Sequence, residues 1–200
     1  MSDTKAFLKA VQSGDVAAAH QLVARGKVDL SGATLKGVNI GGLDLRGLDL
    51  SNAEFDDCML TSARFDEADL SGAYFHGVTL IDCSLSEANL EGASLEGCVL
   101  RRVDLSFANL NETEWSGTEL DESTIADVLL DGASFDAVSI TGGTIRDVGG
   151  AETKLRGVVV RDAVIERFDT SDMDVAGCMT NAPTAPAGFG SLTGRRRRIG

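Results

Sequence analysis

The stretch "LSEANLEGASLEGCVL", Leu85–Leu100, places leucine at 85, 90, 95 and 100, with Cys83, Ala88, Ala93 and Cys98 two residues before each. A helix repeats about every 3.6 residues and a strand every 2, so neither accounts for a large apolar residue at every fifth position. Extended both ways, the frame runs from Leu30 to Ile165 through 28 positions, with Gly150 as its one failure and no insertion. A repeat that regular decides the fold before any local propensity does. In each unit of five, one large and one small residue point inward, and the three others, mostly Asp, Glu, Ser, Gly, Asn or Arg, point out.

Unit after unit reads Ala-Asp/Asn-Leu: Ala68-Asp69-Leu70-Ser71-Gly72, Ala88-Asn89-Leu90-Glu91-Gly92, Ala108-Asn109-Leu110-Asn111-Glu112. The chain resembles the pentapeptide-repeat family, A(D/N)LXX, over about residues 28–168. That resemblance implies an all-β, right-handed quadrilateral β-helix in which four units close one coil, about seven coils in all. The residues support a four-sided coil independently. Positions 20 apart would stack, and one such column, Leu35, Phe55, Phe75, Leu95, Trp115, Phe135, Leu155, collects every in-frame aromatic except Phe65. Bulk gathered in one column leaves thinner columns opposite, so the interior can reach normal packing density. At about 4.8 Å per coil the rod would be about 34 Å long.

The ends differ from the rod. Residues 1–27 form an N-terminal cap of two short helices. Phe7, Leu8 and Val11 share one face, and Val16, Ala19, Leu22 and Val23 another. Ser13-Gly14-Asp15 makes the turn, with Asp15 capping the second helix. This stretch is similar to an ankyrin-type helix pair. The β-helix spans 28–180. Residues 181–200, rich in Pro, Gly and Ala and carrying Arg195–Arg198, are expected to be a disordered basic tail.

Composition narrows the function. The chain of 200 residues carries a formal charge of −13. That disfavours direct binding of nucleic acid or an anionic membrane by the rod and suits a protein partner. No apolar run is long enough to cross a bilayer, and the N-terminus has no signal-peptide core, so a cytoplasmic protein is expected. The four cysteines, Cys58, Cys83, Cys98 and Cys178, fall in phase with the small inward position. They read as core thiols, without metal-ligand spacing. His76 points outward, with Asp56 and Glu96 one coil to either side, as part of a surface charge ladder; His20 is assigned to the surface of a helix. Neither a phosphate loop nor a catalytic constellation is visible, so no catalytic residue, metal site or cofactor is expected.

Two readings of the outer surface remain open. From Val28 to Phe168 there are 26 Asp/Glu and 10 Lys/Arg, a net charge of −16. Spread along the rod, that is about one negative charge per 2 Å, and duplex DNA carries one per about 1.7 Å. From Val103 to Ile145 no Lys or Arg occurs, and the acids there are Asp104, Glu112, Glu114, Glu119, Asp121, Glu122, Asp127, Asp131 and Asp136. The family resemblance implies that such a rod mimics DNA, since some members bind DNA gyrase and protect it from inhibitors. The apolar C-terminal helix and the loop insertion found in such members are missing here, and a dimer is left open. The rival reading is a scaffold of a secretion or stress assembly. It would use an apolar patch of Met59, Ile81 and Val99, with Val159 further along.

Overall fold

The computed structural model describes residues 3–192. Helices α1 (Asp3–Gln12) and α2 (Val16–Val23) lead into a parallel β-solenoid of about 7 coils. Successive passes of the chain lie in strict 20-residue register. Thr34–Lys36 pairs with Glu54–Asp56, which pairs with Tyr74–His76, and so on to Asp174–Ala176, forming the first face. The second face stacks Asn39–Gly41, Met59–Thr61 and their successors to Met179–Thr180 in the same way. The third and fourth faces begin as ladders of single bridges, such as Asp44 on Arg64 and Asp49 on Asp69. Later they merge into the longer strands Thr124–Leu129, Thr144–Gly149 and Val164–Phe168, which run round the corner between them. The fold is the right-handed quadrilateral β-helix expected from the five-residue frame.

The frame works because each unit does the same physical task. Its large and small inward residues are buried along the rod, as at Ala88 and Leu90, both 0% exposed. The residue two past each large one takes a left-handed turn, which is why Gly, Asn, Asp and Glu crowd there; Gly72, Gly77 and Gly97 have φ of 63°, 61° and 60°. The aromatic column stacks as anticipated. Phe55 and Phe75 lie parallel with centroids 4.8 Å apart, and Trp115 and Phe135 lie 5.4 Å apart. The small inward residues also bond between coils. Cys58 Sγ and Cys98 Sγ donate to the carbonyls of Leu35 and Phe75, just as Thr118 Oγ1 and Ser123 Oγ donate to those of Leu95 and Leu100. A thiol here is a core residue with a weak donor, and burial pushes the Cys98 thiol up to about 11.

Gly150 is where the frame fails, and the reason is steric. A Cβ there would stand 2.7 Å from the Leu130 carbonyl carbon and 3.0 Å from the Asp131 nitrogen, so the backbone itself occupies the space. Nearby lies an apolar cavity of about 30 Å³, lined by Leu130, Phe135, Ile140, Ile145, Leu155 and Val160 and bounded by Phe168 and Phe189.

Both ends of the stack are covered. The cap packs Phe7, Val11, Ala19 and Leu22 into the same core as Leu30 and Leu35. Asp15 caps α2 by accepting from the Ala18 N–H. Thr4 and Asp29 bond reciprocally at the junction. His20, assigned to the surface by sequence, also works at this junction: its Nε2 accepts the Asp44 backbone N–H at 3.0 Å. At the far end, disorder was expected from residue 181, but 181–192 fold back over the last coil. Gly190–Ser191 pairs with Met179–Thr180, Pro186 is buried, and Phe189 meets Phe168 edge-on at 6.3 Å. Thr170 and Thr184 donate to the carbonyls of Ala187 and Ile165. An open parallel stack exposes unpaired backbone and apolar side chains, and this segment supplies both with partners. The arginine run lies outside the described residues.

Candidate interaction surface

The 20-residue register sorts the outward side chains onto four faces, and the acids of Val103–Ile145 do not fall together. Glu114 and Asp136 lie on the first face, Glu119 and Asp121 on the second, with Glu122 at the corner after it. Asp104 lies on the third face, where it accepts from the Ser106 hydroxyl and N–H. Asp127 turns the next corner, Asp131 lies on the fourth face, and Glu112 is at the corner that follows it. Nor does the lack of local Lys or Arg leave all of them without a cation. Stacking brings Arg101 within 3.1 Å of Asp121, Arg102 within 4.0 Å of Glu122, and Arg146 within 3.0 Å of Asp127. A basic residue 20 positions away in sequence is a neighbour in space.

A line of acids without cations lies elsewhere. The fourth face and its following corner carry Asp29, Asp49, Asp69, Glu91, Glu112, Asp131, Glu152, Asp169 and Asp172. Among the described residues, no Lys or Arg stands in those positions. At about 4.8 Å per coil this is about one carboxylate per 4 Å of rod, close to the ~3.4 Å spacing of phosphates along one DNA strand. Glu91, Glu112, Asp131 and Glu152 share one shallow surface depression with Asn111.

Local hydrogen bonds hold this face in place. Asp29, Asp49 and Asp69 each accept from the serine two residues on, and Asn109 and Asn89 continue the column as a ladder, Nδ2 to the oxygen below at 3.1 Å. These bonds favour the ionised form. The Ser31 hydroxyl chiefly lowers the Asp29 carboxyl, and the N–H groups of Ser71 and Ser171 chiefly lower those of Asp69 and Asp169.

The other faces are also net acidic, but cations stand among their acids. On the third, Arg46 forks onto Asp44, and on the first, Arg156 pairs with Asp174. His76 takes its place in the expected ladder, Nδ1 3.1 Å from Asp56, which also binds Lys36 Nζ. The Asp56 hydrogen bond is the main reason the His76 imidazole is raised above its ordinary value. Asp56, Asp57 and His76 are close enough to share a cation, each offering a ligand atom within 4.8 Å of the others. On the second face Met59, Thr79 and Val99 are in register, with Ile81 one coil on from Thr61. Met59 is exposed, but Ile81 and Val99 are half-buried, so the patch is smaller than sequence suggested.

This geometry agrees with the comparisons. Residues 29–66 match the family model of pentapeptide repeats, and 59–135 match that of the pentapeptide repeat region. The chain belongs to the pentapeptide-repeat family. Several solved pentapeptide-repeat structures are similar to it. A trypsin-treated form of QnrB1, a plasmid-mediated fluoroquinolone resistance protein, superposes with TM-score 0.66 at 21% identity, covering 76% of this chain and 77% of that one. Rfr23 from the cyanobacterium Cyanothece 51142 gives TM-score 0.44 at 31% identity, over 52% and 65% of the two chains. HetL, involved in heterocyst differentiation regulation in Nostoc sp. strain PCC 7120, gives 0.39 at 19% identity, over 88% and 93%. A search of curated proteins finds no match. The QnrB1 likeness shows the fold. Pentapeptide-repeat β-solenoids are generally structural or interaction proteins, and among the described residues no helix is long and apolar enough to cross a membrane.

Proposed function

We propose that this pentapeptide-repeat protein is a non-enzymatic interaction protein that presents its fourth face to the basic DNA groove of a DNA-handling enzyme. DNA gyrase is the partner implied by the family resemblance. The observation that carries this reading is the fourth face itself: carboxylates repeat along the whole rod with no cation among them. Such a groove samples the summed field of a surface, so a one-sided line of charge matters more than the net charge of the chain. The second face, with Met59, Ile81 and Val99, supports the alternative of an apolar scaffold contact. Salt separates the two, because binding through the acidic face weakens steeply with ionic strength and apolar contact does not.

The test is supercoiling by purified gyrase, with and without a fluoroquinolone, titrated with three forms of the protein. One form is wild type. A second carries Glu91→Gln, Glu112→Gln, Asp131→Asn and Glu152→Gln, all on the fourth face and its following corner. The third carries Glu114→Gln, Glu119→Gln, Asp121→Asn and Glu122→Gln, removing as many charges from other faces. Wild type and the third form should act alike, and the second should lose most of the effect. No effect of wild type at micromolar concentration would leave the scaffold reading in its place. Equal losses in both variants would show that overall charge matters and the face does not.

A further inference from the structure

Two residues beside the acidic face break the local rules of the fold, and they are neighbours. Phe107 occupies the corner between the third and fourth faces, with φ 61°. The same corner in the other coils holds Gly47, Glu67, Glu87, Asp127, Asp147 and Arg167. A bulky side chain in the left-handed region is strained, and this one is also 60% exposed, so neither backbone nor burial favours phenylalanine there. Leu129 occupies the outward fourth-face position that is Asp29, Asp49, Asp69, Asn89, Asn109, Gly149 and Asp169 in other coils. It cannot continue the hydrogen-bonded ladder that Asn89 and Asn109 build, and it is 58% exposed.

The register places these two departures side by side. Phe107 stacks below Asp127, its N–H donating to the Ala126 carbonyl at 2.9 Å, and Leu129 follows Asp127 by two residues in the same strand. Strand geometry separates their Cα atoms by on the order of 8 Å. Carboxylates surround the pair: Glu87 and Asp127 along the corner, Glu112 and Asp131 along the face and its following corner.

We infer that Phe107 and Leu129 form the apolar anchor of the acidic face, seating in an apolar socket within a basic protein surface. This inference rests on the fourth face being the binding face, as proposed above. Interfaces concentrate their affinity in a few central apolar or aromatic side chains, while a charged rim sets approach and orientation. Here the anchor lies about midway along the line of acids. The same acidic rim argues against a second copy of this chain as the occupant, since two such surfaces repel.

The experiment uses variants that restore the local rules: Phe107→Gly, which suits the left-handed corner, Leu129→Asn, which suits the ladder, and the two together. The melting temperature of the double variant should equal or exceed that of wild type. Its Kd for purified DNA gyrase, measured on the full-length chain at fixed salt, should be at least tenfold weaker, and the residual binding should keep its dependence on salt. Binding of the double variant within twofold of wild type overturns the anchor while leaving the acidic-face reading intact. If wild type itself does not bind gyrase at micromolar concentration, both readings fall. Sedimentation of the free proteins covers the remaining occupant: a wild-type dimer dissolved by the double variant would make the site a self-contact and overturn the proposal.

Discussion

Leu90→Asp probes the dryness of the interior on which every outward assignment depends. Leu90 is 0% exposed, and Leu50, Leu70, Leu110 and Leu130 in its column are also buried. Among the described residues, the buried polar side chains are threonine and serine, and none is charged. Truncating a buried leucine costs about 2–5 kcal/mol. The carboxyl adds the cost of burying a polar group without a partner, so at pH 7 the total should be on the order of 5–8 kcal/mol. That is comparable to the whole stability of an ordinary domain, ~5–15 kcal/mol. Part of the cost is protonic. A carboxyl in such a site has its folded pKa raised, to about 8 by analogy with other buried carboxyls, while the unfolded value stays near ~3.9. The folded pKa lies above the unfolded one, so the penalty is smallest below about pH 4 and grows by ~1.4 kcal/mol per unit toward pH 8. Between pH 4.5 and 7 the variant should lose about 3 kcal/mol relative to Leu90→Asn, which has the same shape and does not titrate. Urea unfolding followed by circular dichroism at the two pH values measures this difference. A Leu90→Asp protein that melts within a few degrees of wild type, or that tracks Leu90→Asn at both pH values, would show that residue 90 does not face a dry core.

Three further outcomes are expected. Gly150→Ala should destabilise by about 1–3 kcal/mol in urea unfolding, because its Cβ would collide with the Leu130 backbone and not fill the nearby cavity; a neutral or stabilising result would contradict the close approach. The Arg46 guanidinium beside Asp44 lowers that carboxyl from 3.8 to about 2, so its stabilisation is complete above about pH 4 and fades as pH falls toward 2. The pair is partly exposed, so Asp44→Asn should remove at most about 1 kcal/mol of acid-dependent stability, and a carboxyl of ordinary pKa in an NMR titration would refute the pairing. Cys58, Cys83, Cys98 and Cys178 are all buried, and their thiols, raised by burial, should react with Ellman's reagent only after unfolding. A thiol that reacts rapidly in the native protein would remove its cysteine from the core.

The sequence by itself determined the inside of this protein. A large apolar residue at every fifth position has one physical solution, a coil whose sides are five residues long. Stacking of the aromatic column at intervals of 20 followed from the need to fill the interior, and Phe55, Phe75, Trp115 and Phe135 stack accordingly. The outside was less legible, because charge was read along the chain while charges interact across coils. Asp121, Glu122 and Asp127 looked unpaired in a stretch without cations, yet Arg101, Arg102 and Arg146 reach them from neighbouring coils. The signal for the fourth face was present: the same 20-residue column, applied to outward residues, collects Asp29, Asp49 and Asp69 and exposes Leu129 as the misfit. Other features came only from the tertiary structure. The fold-back of residues 181–192 responds to an open coil end that no local pattern announces. The need for glycine at 150 comes from the backbone of Leu130 and Asp131, a coil away. Periodicity fixes which way a side chain points, but only the closed stack decides which side chains, 20 residues apart, must share the same space.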